Sequence, residues 1–343
     1  MTTNHIPKLT VGLTHRIMKY TLTKAVVAIS VMMASVMTSC DKKVSNTSTS
    51  GIGSIVCDAS FENIMQQEID VFEYIYPNAS IIPYYVDEHS AIDSLLDLKT
   101  KAIVITRELT PKEVDFLKSK GKNVRQKKIA VDALALIVNP ANDVTVLSKK
   151  EIAQILSGEL TRWDEVDVQS QKLGNIEVVF DHQGSSTVQY MRDSLLDGRD
   201  FGPNVFAQKT PADVFKAVAA NKNAIGVIGV SWISSDLGAR ELTREELAAA
   251  SEANDTTVTA FDPSVKVLKV RGNNEVTAYK PYQAQIFDGS YPLFRSVYMI
   301  NTAAGGSIVQ GFFSFVTSFR GQKLIQMTGI LPATVSPRMV SLE

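Results

Sequence analysis

The sequence predicts an α/β protein of two lobes, with mixed, mostly parallel sheets flanked by helices and a ligand cleft between the lobes. Two observations carry this expectation. Strand-like and helix-like runs alternate along the chain, which is the βαβ order of a largely parallel sheet. Two strand-to-helix junctions, more than a hundred residues apart, each end a strand on small hydroxyl residues. In open α/β sheets, ligands bind just beyond the carboxyl ends of strands.

Composition sets the outer bounds. At 343 residues, with 45% hydrophobic and 21% charged content, the chain is an ordinary globular protein large enough for two domains. The formal net charge is −1; Lys8, Arg16, Lys19 and Lys24 lie in the first 39 residues without an acid, so losing those four cations leaves −5. A mildly acidic body argues against a nucleic-acid partner.

The first 39 residues read as a secretory signal. Their basic residues end at Lys24, Ala25 to Val36 is an apolar run too short to span a bilayer comfortably, and small residues precede Cys40. Met37 to Cys40 resembles a bacterial lipobox, in which the cysteine becomes acylated and forms the new N-terminus. Residues 40–51 are polar and rich in Ser, Thr and Gly, the composition of a flexible tether, so order is expected to begin near Ile52. Cys57, the other cysteine, reads as a small buried strand residue.

The body then follows in order. Gly53 to Cys57 is a short strand, and Asp58, Ala59, Ser60 and Phe61 lead into a run whose Ile64, Ile69, Phe72 and Ile75 form one apolar helical face. Ile81 to Val86 is a strand, a helix starts near Ser90, and a second strand ends at Thr106. Thr110, Pro111 and Glu113 make a capping box with proline at the first helical position, and Gly121 stops that helix. Lys127 to Pro140 is an apolar strand region interrupted by Asp132; an acid in such a run is costly to bury unpaired, so it marks a partner or a ligand.

Ser148 to Leu156 reads as a helix, Ile176 to Phe180 as a buried strand, and the run after Thr187 as an amphipathic helix. A further helix lies near Asp213 to Ala220, followed by the glycine-containing strand 224–230. Residues 235–258 are charged and alanine-rich, a poor core candidate. Tyr291 to Ile300 is a strand expected to return to the first lobe, and 308–329 an amphipathic helix interrupted by Gly321.

Gly184, Ser185, Ser186 and Thr187 stand at the second junction. A helix start leaves its first four N–H groups unpaired and carries about half a positive charge, so it can hold a phosphate-like anion, and Gly184 allows close approach. The alternative is a plain N-cap by Ser185 or Ser186. Ser60 at the first junction has the same design.

The assembled residues resemble the phosphate-binding protein family of bacterial ABC transporters, of the periplasmic binding protein type II fold, over most of 52–335. The landmarks are Ala59 to Phe61, Thr106 to Leu109, the strand with Asp132, Glu151 to Val166 with Gly158 and Trp163, Gly184 to Thr187, residues 223–230, and the Tyr291–Arg295 and Phe319–Ile325 segments. The resemblance implies lobes formed by 52–131 with 260–343 and by 132–259, closing on one tetrahedral oxyanion that is passed to permease subunits. It carries ligand contact onto Ser60 and the Phe61 amide, onto Thr106 and Arg107, and onto Ser185, Ser186 and Thr187. Gly184 and Asp132 complete the expected set. No cofactor or metal is expected, phosphate is the ligand, and the protein is expected to act as a monomer anchored through Cys40 at the periplasmic or outer surface.

The charge pattern departs from the family. Many relatives carry an arginine shortly before the Gly-Ser motif, where this chain has Asp181, His182 and Gln183, and some have an aspartate where Arg107 stands. Arg107 is therefore a candidate to supply the cradle's guanidinium, with Asp132 or Asp181 orienting it or accepting from a protonated phosphate. Its alternative is a surface pair with Glu108 or Glu113, and Asp181 has the alternative of a turn residue.

Two other function classes stay open on the sequence. A serine hydrolase would need a base such as His182 within reach of Ser185, but the motif is not the Gly-x-Ser-x-Gly elbow, and two histidines without ligand spacing make no metal site. A sensor or scaffold that kept the fold and lost the ligand is the other.

Overall fold

The structure is a computed structural model that describes residues 46–234, 242–252 and 261–337. The signal segment 1–39, Cys40 and the first part of the tether lie outside the described residues. The body, Asn46–Glu343, forms one compact unit. It begins earlier than Ile52: Thr47 bridges Ser50, and the Asn46 side chain accepts from the Ile308 amide, so 46–51 are held against the body.

The first third of the body alternates strand and helix: β1 (Gly51–Asp58), α1 (Glu62–Ile75), β2 (Ala79–Val86), α2 (Glu88–Leu96), β3 (Ala102–Ile105) and α3 (Pro111–Ser119). The long β4 (Arg125–Val138) follows, then β5 (Val146–Ser148), α4 (Lys149–Ser157) and the short α5 (Trp163–Val166). Next come β6 (Glu177–Phe180), α6 (Ser186–Leu196), β7 (Val205–Ala207), α7 (Pro211–Ala220), β8 (Ala224–Gly229) and α8 (Arg244–Glu252). The chain closes with β9 (Lys266–Val267), β10 (Lys269–Arg271), β11 (Ala278–Tyr279), α9 (Gln283–Phe287), β12 (Phe294–Asn301), α10 (Ile308–Val316), α11 (Phe319–Met327) and β13 (Leu331–Pro332).

The main sheet runs β2-β1-β3-β12-β4-β8-β6-β7, with β9 and β13 added on β4. Its two ends are parallel: β1 pairs with β2 and β3, and β6 with β7 and β8. Its middle is antiparallel, because β12 returns between β3 and β4, as the sequence led us to expect for that strand. β4 changes partner partway along: Val131, Asp132 and Ala133 face β12, whereas Leu134 to Val138 face β8. One strand thus ties the two ends of the sheet together, switching partner just after Asp132. The edge strand β2 carries Pro83, and β5, β10 and β11 form a small second sheet.

Alternation along the strands explains where the core lies. Ile55, Cys57 and Ile81 point to the side covered by α1 and α10, while Val56, on the opposite face, packs with Ile92 and Leu95 of α2. Burial pushes the Cys57 thiol well above its ordinary range, so it is an inert core residue. The capping box on α3 is present as expected, Thr110 accepting from the Glu113 amide and Glu113 from the Thr110 amide.

Two readings are corrected. The run 308–329 breaks at Thr317 and Ser318 rather than at Gly321, because the Ser318 hydroxyl caps a new helix by accepting from the Gly321 amide; Gly321 sits where a Cβ would lie 2.5 Å from the Phe315 carbonyl oxygen. Within 235–258, the described helix α8 is not peripheral: Leu247 and Ala248 are buried.

Candidate functional site

The carboxyl end of β1 makes the first wall. Asp58 stops the strand and caps a 3-10 turn, Ala59–Phe61, by accepting from the Ser60 amide at 2.8 Å. This turn fixes the Ser60 hydroxyl, and Trp232 holds the Ser60 carbonyl with a 3.1 Å bond from its indole nitrogen. The second wall is the junction of β6 and α6. Ser185 is the N-cap of α6: its hydroxyl accepts from the Val188 amide and donates to Asp181 Oδ1 at 2.5 Å. The capping alternative holds for Ser185 and not for Ser186, whose hydroxyl faces outward from the helix start and lies 3.3 Å from that of Ser60. Thr187 is buried beside it, and a Cβ at Gly184 would stand 3.5 Å from Asp87, so the loop passes close to the start of α2. Both junctions therefore meet.

Between them stands Arg295, on β12. It is only 5% exposed. Its Nη1 donates to Ser186 Oγ at 2.7 Å, its Nε and Nη2 donate to Asp132 Oδ2 at 3.3 and 3.2 Å, and its guanidinium lies 5.0 Å from the centre of the Phe61 ring. Backbone register makes the Asp132 contact, since Arg295 sits opposite Asp132 across the β12–β4 pair. The guanidinium that reaches the Ser186 hydroxyl in this structure is that of Arg295. Arg107 is tied by a two-pronged pair to Glu113, 2.9 Å on each prong, which is the surface pairing its position also allowed. Thr106 spends its amide and hydroxyl on Glu88 Oε2. Both still face the site: a cleft of about 540 Å3 is lined by Thr106, Arg107, Gly184 and Ser186 with Glu88 and Tyr190.

Three carboxyl groups belong to the two junctions and the arginine: Asp132 pairs with Arg295, Asp181 with the Ser185 hydroxyl and Asp58 with the Ser60 amide. Asp58, Asp132 and Asp181 are buried, and Asp58 Oδ2 and Asp132 Oδ1 accept no hydrogen bond. Burial raises Asp132 above the usual carboxylate range although Arg295 opposes the rise, and burial likewise raises Asp181 against the bond from Ser185. The cost of desolvation exceeds the gain from pairing in both. His182 lies with Nδ1 3.9 Å from Asp181, while the Ser185 hydroxyl is engaged by Asp181. Among the described residues, no histidine donates to or accepts from the Ser185 hydroxyl, which is held by Asp181 and the Val188 amide. Among the described residues, no group of three or more His, Cys, Asp or Glu side chains is placed to hold a metal ion.

A family model described as a PBP superfamily domain matches residues 44–320. The chain belongs to this superfamily. Among its PBP relatives is the phosphate-binding protein PstS of Pseudomonas aeruginosa, 23% identical over 297 residues that cover 82% of this chain and 83% of the relative. A substrate-binding protein of Clostridium perfringens, solved with phosphate bound, superposes with a TM-score of 0.63 at 21% identity, covering 83% of this chain and 100% of that one. An ABC-type phosphate transport receptor of Vibrio cholerae gives 0.58 at 21% identity, covering 81% and 98%. These likenesses show the α/β PBP fold with its mixed sheet flanked by helices.

Sequence reasoning missed Arg295 as a site residue, although the signal was present. It interrupts the apolar run Tyr291–Ile300 as Asp132 interrupts its own run, and two opposite charges in two apolar strands are each other's simplest partners. Asp58, which the sequence shows only as part of the entry to a helix, caps the turn that fixes Ser60.

Proposed function

We propose that this chain is an extracytoplasmic solute-binding protein that captures inorganic phosphate, anchored to a membrane through acylated Cys40 and serving an ABC importer. The observation that carries the reading is the meeting of Ser60 and Ser186 hydroxyls at the buried Arg295 guanidinium. A tetrahedral oxyanion entering there would take the place of the Ser60–Ser186 contact and receive both hydroxyls, the first-turn amides of α6 and one charged prong of Arg295. The free oxygens of Asp58 and Asp132 are acceptors, which a hydrogen-bearing phosphate satisfies and sulfate does not. Arg107 and Thr106 line the approach and, in this reading, exchange Glu113 and Glu88 for ligand only on closure.

Closure itself is proposed to move the lobes 52–131 with 260–343 against 132–259. In support, β4 changes sheet partner between Ala133 and Leu134, directly after Asp132, so the boundary falls beside the site. No bond of the ligand is broken, and the protein acts as a monomer handing phosphate to permease subunits. Titration calorimetry of the purified protein with phosphate, arsenate and sulfate tests this. Binding of phosphate and arsenate with little or no binding of sulfate is expected; heat-silent titrations for every oxyanion would overturn it.

One observation favours a second reading, a ligand-free scaffold on the same fold. Thr106 and Arg107 are engaged by Glu88 and Glu113, and Arg295 is already paired with buried Asp132. The same calorimetry separates the two.

A further inference from the structure

The chain enters the body at the amino end of β1, and that entry is fixed. The Asn46 side chain accepts from the first amide of α10 at 2.9 Å, Thr47 pairs with Ser50, and Gly51 donates to the Asn78 carbonyl. The six residues from Cys40 to Asn46 span at most about 20 Å when fully extended. A lipid on Cys40 therefore holds this corner of the body close to the bilayer, far closer than a tether running to residue 51 would.

The surface beside that corner is apolar. β1 and β2 pair in parallel with Ile52 opposite Ser80, Ser54 opposite Ile82 and Val56 opposite Tyr84, so Ile52, Ile82 and Tyr84 share one face. They are 65%, 43% and 55% exposed. Leu98, at the end of α2 where the chain turns back into β3, is exposed at the same end of the sheet as Ile52. Single exposed apolar residues are ordinary, but a row of them on one edge is not. Lys99, which pairs with Asp97, and Lys101 are exposed just after Leu98. An apolar row with a tyrosine, next to lysines, matches the chemistry of a lipid headgroup boundary.

We propose that the face formed by Ile52, Ile82, Tyr84 and Leu98 lies on the lipid surface to which Cys40 is anchored, so that the body rests on its β2 edge. This inference rests on the acylation of Cys40 proposed above. It sets the orientation of the site: the cleft forms at Asp58, the carboxyl end of β1 and the seventh residue after Gly51, which is roughly 23 Å from the anchored corner at about 3.3 Å per residue. The opposite edge, β7, points away from the lipid.

The test uses the full chain, processed in a lipoprotein-exporting host and reconstituted in phosphatidylethanolamine–phosphatidylglycerol vesicles. An environment-sensitive NBD label is placed at Tyr84→Cys or, as the comparison, at Phe206→Cys on β7; Cys57 is fully buried and does not compete. The label at 84 is expected to shift to the blue and to be quenched by doxyl-labelled lipid, the label at 206 to do neither. The Ile52→Ser, Ile82→Ser double substitution is expected to abolish quenching at 84 while the protein stays on the vesicles. Equal, unquenched signals at both positions in vesicle-bound protein would overturn the proposal. Protein that carries no acyl group by mass and does not float with vesicles would overturn the anchoring reading, and this inference with it.

Discussion

Arg295 and Asp132 are the pair on which the site turns. Removing the arginine leaves a carboxyl buried and unpaired, so Arg295→Ala is expected to cost about 3–5 kcal/mol of folding stability in urea denaturation, together with the loss of phosphate binding. Glu113 offers a contrast in sign. The Arg107 guanidinium holds its carboxyl down to about 2 in the fold, below its ordinary 4.5. The stability it contributes is therefore complete above about 4.5 and is lost as pH falls from there through about 2. Glu113→Gln should flatten stability over that window. Asp132 and Asp181 act oppositely, being raised by burial: their neutral forms favour the fold, and what they contribute is lost as pH rises. At this scale the sequence is half legible. Asp132 reads as a buried acid in need of a partner and Glu113 as a visible partner for Arg107; the charge of Arg295 within its own apolar run hints at the match, but the β12–β4 register that joins two residues 163 positions apart is set by the fold and not by local pattern.

Elements were read better than contacts, because caps and periodicity are local. The box at Thr110 and Glu113 and the start of α6 at Ser185–Ser186 follow from residues within a few positions of one another. The break between α10 and α11 was misplaced because Gly321 looked like the weak point, while the competing cap is the hydroxyl of Ser318. The start of the body was also missed. Gly311, inside α10, lies against the Ser48 backbone, and a Cβ there would collide with the Ser48 carbonyl. Gly311→Ala is accordingly expected to release residues 46–50 from α10, seen as new proteolytic cleavage in that segment with α10 and the binding site intact. Composition showed only a polar stretch, and packing against a glycine is what orders it.

For the molecule as a whole, ligand and stability are linked. A ligand that binds only the folded state adds RT ln(1 + [L]/Kd), about 2.7 kcal/mol at a hundredfold excess over Kd. Phosphate is expected to raise the thermal midpoint progressively with concentration, whereas sulfate should leave it nearly unchanged; differential scanning fluorimetry reads both. The fold class was legible at this scale, since alternation of strands and helices leaves few architectures. The antiparallel centre, where β4 serves both ends of the sheet, was not, because strand direction in the middle of a sheet depends on which strand comes back last.

Pro83 gives the exposed edge a quiet property. A proline on an outer strand has no amide to offer, so a neighbouring copy crowded alongside finds a gap in the ladder it would need to extend. Many copies can share a small area without zipping into fibrils.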